Sequence, residues 1–172
     1  VFTGLNANET VILPTDSGTP LAAINLSGGA GDDTFAIFGT PDARVMEANH
    51  VISGGSNTGV GDTLTLIGTV DISKMSITGI ENLVLESGSP SIATMTGTQL
   101  ASFASVTGDG TSTIYLTDNA AGSQTRVDLT GITFTSVDQL VAGENTKLIL
   151  EYTQLIELGD VDTTSSSNAS AE

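Results

Sequence analysis

The sequence predicts an all-β solenoid, a chain wound into stacked coils, and three observations predict it. Short stretches of alternating apolar and polar residues recur along the 172-residue chain, bounded by Gly, Ser, Thr, Asn and Asp. A segment "VDISKMSITGIENLVL" (70–85) aligns without gaps on "VDLTGITFTSVDQLVA" (127–142), an offset of 57 residues counted from 70 to 127. A glycine–aspartate turn, "GGAGDDTFA" (28–36), runs directly into one of the alternating stretches. A repeat of that period, built from strands of about five residues, suggests stacked coils. A β-sandwich with two similar halves is the alternative, since strands spaced by about 8–12 residues suit that fold too.

Taken in order, "DTFAIF" (33–38), "DTLTLIG" (62–68), "NLVLES" (82–87), "STIYLTD" (112–118), "RVDLTG" (126–131) and "KLILEY" (147–152) read as strands, with β-branched or aromatic residues at period two. The one-sided alternation puts Phe35, Ile37, Leu64, Leu66, Leu83, Leu85, Ile114, Leu116, Leu129, Leu140 and Leu148 inside. The aligned Leu83 and Leu140 are expected at equivalent positions of their coils. Helix signals are few. Thr40-Pro41 carries an N-cap followed by proline at the first helical position. Thr96-Gly97-Thr98-Gln99 fits a capping box, with Leu100 and Phe103 behind it. Each predicts one or two turns. After a two-residue indel, Thr98-Gln99-Leu100 falls on Thr153-Gln154-Leu155, so each unit reads strand, turn, strand, variable loop, short TQL turn. The apolar residues of "SIATMTGTQLASF" and "LILEYTQLIEL" are expected in the core. Residues 1–162 then form one solenoid domain, with a turn region at 26–68 and related repeats at 70–118 and 127–158. The polar "TTSSSNASAE" (163–172) reads as a tail or linker.

Composition excludes several function classes. Twenty acidic side chains against four basic ones give a net charge of −16, which argues against binding nucleic acid through a basic patch. No apolar run approaches the roughly 18 residues of a membrane-spanning helix. With no cysteine, disulfides and thiolate metal sites are ruled out. His50 is the only histidine, which leaves no second imidazole for zinc and points to a surface or packing role. No G-x-S-x-G elbow is present, and Glu81 and Glu86 read as strand ends rather than as a glycosidase pair. The chain is read as not an enzyme.

The turn at 28–36 matches G-G-x-G-x-D-x-U-x at every specified position. Six residues must turn tightly with carbonyls facing an ion, so glycines supply positive φ. Asp33 at the sixth position adds a hard carboxylate oxygen, and calcium takes six to eight such oxygens. The candidate ligands are the carboxylates of Asp33, Asp62 and Asp32 with the carbonyls of Gly28 and Ala30. Asp62 enters because "GGSNTGVGDTLT" (54–65) resembles the motif with an insertion, and Gly108-Asp109-Gly110 is a vestigial third copy.

With Asp71-Ile72-Ser73 and Thr78-Gly79-Ile80-Glu81-Asn82-Leu83, echoed by Asp128-Leu129-Thr130 and Ser136-Val137-Asp138-Gln139-Leu140, the chain resembles the type-I-secreted RTX proteins of bacterial surfaces, among them S-layer proteins and giant adhesins. The likeness covers roughly residues 26–158. It implies a right-handed parallel β-helix or β-roll, secreted to the cell surface and stabilised by calcium. Tandem nonapeptides are missing, so one or two ions are expected rather than a row. Two functions follow: a structural module of an extracellular assembly (an S-layer, adhesin stalk or filament), or a calcium-binding accessory domain of a secreted polysaccharide-active or proteolytic enzyme. Uncapped, apolar ends are expected to associate head to tail into a filament or lattice.

Overall fold

The computed structural model describes residues 1–4, 7–13, 23–39, 44–46, 49–86, 91–117, 124–143 and 145–163. In chain order the elements are β1 (Phe2–Thr3), β2 (Thr10–Leu13), β3 (Asn25–Ala30), β4 (Thr34–Phe38), β5 (Arg44–Val45), β6 (Val51–Ser56), β7 (Thr63–Ile67), β8 (Thr69–Asp71), β9 (Ser76–Thr78), β10 (Asn82–Glu86) and β11 (Ile92–Thr96). Then come α1 (Gly97–Leu100), β12 (Ser105–Thr117), β13 (Thr125–Asp128), β14 (Thr133–Ala142), β15 (Thr146–Ile149), α2 (Tyr152–Glu157) and β16 (Leu158–Thr163). The paired strands among the described residues all run in parallel, and with the two helical turns they form a β-solenoid of about five turns.

Three faces enclose one core. On the first face the ladder runs β2–β4–β7–β10, then the opening of β12 and the opening of β14, so Val11, Phe35, Leu64, Leu83, Val106 and Phe134 stack. The second face stacks β5, β8, β11, the end of β12, the end of β14 and β16; its inward column includes Val70, Ala93, Ile114, Leu140 and Val161. The third face carries β1–β3–β6–β9. By chain order α1 then takes the slot that β9 held, and β13 paired with β15 resumes the face. Side chains at i and i+2 share the inner surface, so inward residues of successive turns touch along each column.

The expected inward residues line the core, with Leu148 only partly buried against it. The expected strands match β4, β7, β10, the end of β12, β13 and β15, although Tyr152 begins α2 rather than ending a strand. The glycine-rich stretches 25–30 and 51–56 are strands as well, which their composition hid. The Thr40-Pro41 helix signal lies outside the described residues, as does the tail beyond Thr163.

The repeat is real in local conformation. Asp71 Oδ1 accepts from Ser73 N–H (2.8 Å), and Asp128 Oδ1 accepts from Thr130 N–H (3.2 Å). The turns close identically, Met75 N–H to the Ile72 carbonyl (3.1 Å) and Ile132 N–H to the Leu129 carbonyl (3.0 Å). Gly79 (φ 60°) and Ser136 (φ 54°) sit at matching left-handed positions. Gln99 then donates from Nε2 to the carbonyls of Ile72 (2.7 Å) and Met75 (3.0 Å), as Gln154 does to Leu129 (2.6 Å) and Ile132 (2.7 Å). Each glutamine also accepts a backbone N–H at Oε1, from Thr96 (2.8 Å) and Glu151 (2.7 Å). At α1 the predicted capping box is complete, since Gln99 N–H donates to Thr96 Oγ1 (3.1 Å).

The copies nevertheless lie on different faces. Leu83 stacks between Leu64 and Val106 on the first face, and Leu140 between Ile114 and Val161 on the second. The expectation that they occupy equivalent coil positions fails for a geometric reason. A column is set by how many faces separate two residues, and the second copy begins one face further round than whole turns would place it.

Candidate functional site

A single corner, between the third and first faces, gathers the glycine–acid motifs. Each coil turns here from a glycine to an acid: Gly4 to Glu9, Gly28 to Asp33, Gly54 to Asp62, Gly79 to Glu81. Each acid after Glu9 reaches back to the coil before it. Asp33 Oδ1 accepts from Glu9 N–H (2.8 Å), Asp62 Oδ1 from Asp33 N–H (2.6 Å), and Glu81 Oε2 from Asp62 N–H (2.9 Å). The carboxylates thus form a ladder that ties four successive coils through backbone donors that would otherwise be left unsatisfied at the corner.

Close packing demands glycine beside the two aspartates. A Cβ on Gly28 would run into Asp33 Oδ2 and the Gly54 carbonyl, and one on Gly54 into Asp62 Oδ2 and the Gly79 carbonyl. Gly55 (φ 125°) meets the Gly29 carbonyl in the same way, so strands β3 and β6 accept glycines that weaken strand propensity elsewhere. Asp33 and Asp62 are fully buried, and their Oδ2 atoms have no hydrogen-bond partner. Burial pushes the Asp62 carboxyl above its ordinary range, with the neighbouring charges of Asp33, Glu81 and Asp32 acting in the same direction and the Asp33 N–H opposing them.

Asp32 behaves differently. Its Oδ1 accepts from Thr58 N–H (2.9 Å) and Gly59 N–H (2.9 Å), and its Oδ2 from Val60 N–H (3.1 Å). These backbone donors, Thr58 first, hold its carboxyl below the usual range. The three residues that lengthen the second motif, from Gly54 to Asp62, therefore form a nest for the aspartate of the first. Asp109, in the vestigial third motif, turns inward on its own loop: Ser112 Oγ (2.7 Å), Thr111 N–H (2.9 Å) and Thr111 Oγ1 (2.9 Å) all donate to Oδ1. The Ser112 hydroxyl leads in lowering its carboxyl.

The donors suit a hard cation in kind: buried carboxylate oxygens beside backbone carbonyls, around cradles that a Cβ would fill. They fall in two cradles, Asp33 Oδ2 with the Gly54 carbonyl beside Gly28 and Asp62 Oδ2 with the Gly79 carbonyl beside Gly54, and these are the oxygens a cation at this corner would take. Of the other candidates, the Gly28 carbonyl faces the Gly4–Glu9 cradle one coil earlier, Ala30 pairs with Ser56 at the end of β3, and both Asp32 oxygens are engaged by the nest. Among the described residues no group of three or more His, Cys, Asp or Glu side chains converges on one point. Glu9 and Glu81 were not singled out as corner residues from sequence. For Glu9 the signal was present, since Gly4 to Glu9 has the same five-residue step as Gly28 to Asp33. His50 is buried, in keeping with packing, and Glu81 serves the ladder.

No protein-family model, curated protein or solved structure matches the chain.

Proposed function

We propose that this chain is a structural module of an extracellular bacterial surface assembly of the RTX kind, stabilised by calcium at the acidic corner, and that it performs no catalysis. The observation that carries the reading is the pair of buried carboxylate oxygens, Asp33 Oδ2 and Asp62 Oδ2, without hydrogen-bond partners and set beside backbone carbonyls. A buried anionic oxygen without a donor costs stability, and a divalent cation shared between two coils offsets that cost. An ion bound only by the folded chain stabilises it by about 2.7 kcal/mol at a hundred times its dissociation constant. The same ion lowers the repulsion in a chain of net charge −16.

The test is titration calorimetry and thermal unfolding of metal-stripped protein, with and without calcium. Binding that raises the unfolding temperature, and that Asp33→Ala weakens, supports the reading. Absence of heat and of any thermal shift on adding calcium overturns it. Electron microscopy of the same samples shows whether calcium also drives lattice or fibre formation.

A further inference from the structure

The two cradles of the acidic corner have a counterpart one corner further round. A Cβ on Gly54 would meet Asp62 Oδ2 and the Gly79 carbonyl, and a Cβ on Gly108 would meet Ser112 Oγ and the Ser136 carbonyl. Gly79 and Ser136 are the same position of the repeat, both left-handed (φ 60° and 54°), so the equivalent carbonyl closes the cradle in each copy. The side chain beside that carbonyl differs. At the acidic corner it is a fully buried carboxylate oxygen without a hydrogen-bond partner. At the next corner it is a fully buried hydroxyl, which accepts from Asp109 N–H (3.1 Å) and donates to Asp109 Oδ1 (2.7 Å). The negative charge there stands on Asp109, which is exposed to water. A carboxylate beside a carbonyl in a dry site brings two acceptors and no donor, and a cation resolves that conflict; a hydroxyl carries its own proton and needs none.

We infer that the side chain at this point decides which coils depend on calcium: Asp33 and Asp62 make one cation place each, whereas Ser112 closes its corner unaided, so the ion governs the coils that carry β3 to β9 and leaves β14 and β16 independent of it. This rests on the calcium reading of the acidic corner and adds where the ion acts. The first place joins the Asp33 coil to the following one through the Gly54 carbonyl, and the second joins the Asp62 coil to the following one through the Gly79 carbonyl. A coil of a solenoid touches only its neighbours, so loss of an ion loosens those coils and fades beyond them. One carboxylate and one carbonyl for each place put the affinity in the weak class, about 10⁻⁴–10⁻³ M. An opening that empties one place becomes about tenfold rarer when calcium stands at about ten times its dissociation constant.

Hydrogen exchange read by mass spectrometry tests this on the full chain, metal-stripped and with calcium, beside the number of ions bound in titration calorimetry. Calcium is expected to slow exchange about tenfold in β3, β6 and β7 and to leave β14 and β16 unchanged, with two ions bound. Asp33→Asn and Asp62→Asn keep the Oδ1 that accepts the Glu9 or Asp33 N–H and set an amide donor beside the carbonyl. Each variant is expected to bind one ion and to exchange more slowly than the parent around its own cradle in calcium-free buffer. Calcium that slows both halves alike, or a variant that still binds two ions, overturns the inference and leaves the calcium reading standing. If no calcium binds to the parent, the calcium reading fails and the inference with it. Should either variant misfold, the contrast between the two halves of the parent decides alone.

Discussion

The units at 70–100 and 127–155 share their turns, left-handed residues and glutamine bridges, yet they differ in what surrounds them. The first has described coils on both sides; the second is the last unit among the described residues, one face further round. The comparison shows that this sequence pattern specifies a path, not an address. Asp71, Gly79 and Gln99 dictate how the chain bends and where its carbonyls are satisfied, and Asp128, Ser136 and Gln154 dictate the same. Which column receives Leu83 or Leu140 depends on the faces traversed between them. Seven are crossed from Val70 to Val127: β9, β10, β11, α1, both halves of β12, and β13.

The largest effect that would test this is in the core. Leu83→Ala and Leu140→Ala should each destabilise by about 2–5 kcal/mol in urea unfolding. Leu83 should cost more, because both its column neighbours are buried whereas Val161 beside Leu140 is only partly so. Equal losses would mean that column position matters less than local context. Next come the bridges. Gln99→Ala removes the side-chain donor from both carbonyls; Ile72 keeps the Met75 N–H, so the loss is about 1–3 kcal/mol for the Met75 carbonyl left unsatisfied. Gln154→Ala makes the same local cut, but hydrogen exchange should show it confined to the last coil, whereas Gln99→Ala loosens both halves. Gly97→Ala should cost about 1–3 kcal/mol through overpacking against Val127, while Tyr152→Ala, at the matching exposed position, should stay within about 0.5 kcal/mol.

A smaller effect concerns pH. The Asp62 carboxyl is raised in the fold, so the folded state binds its proton more readily than the unfolded state, whose value is near 3.8. Its contribution is therefore favourable in acid and is lost as pH rises through the raised value. Asp62→Asn should remove that slope between pH 7 and 4 in calcium-free buffer and weaken the response to calcium. An unchanged pH profile would show that Asp62 binds its proton equally in the folded and unfolded states. The smallest effect is expected at Asp32: Asp32→Ala should speed proteolysis and amide exchange at 58–61 alone.

The sequence disclosed those features that are local. Period-two stretches marked the strands, the capping box marked α1, and the nonapeptide marked the corner. Two strands escaped because Gly28-Gly29 and Gly54-Gly55 read as turn, although a neighbouring coil's carbonyl is what demands glycine there. Contacts across coils leave no local trace, so the ladder from Glu9 to Glu81 and the nest around Asp32 emerge only once the turns are stacked. The apolar run of "LILEYTQLIEL" misled in the same way: periodicity marks an apolar face without saying what covers it, and among the described residues Tyr152, Leu155 and Ile156 are exposed.

The one-face offset also bears on how such a chain can lengthen. A unit whose conformation is indifferent to its face can be duplicated in steps shorter than a full turn, and each duplication rotates everything downstream about the long axis. Surface features such as the acidic corner then shift to a new side of the rod: the corner's glycines run from Gly4 to Gly79, while the close-packed Gly108 and Gly159 mark the next corner round. Gene duplication in such a chain changes the direction in which its binding edges point, as well as its length.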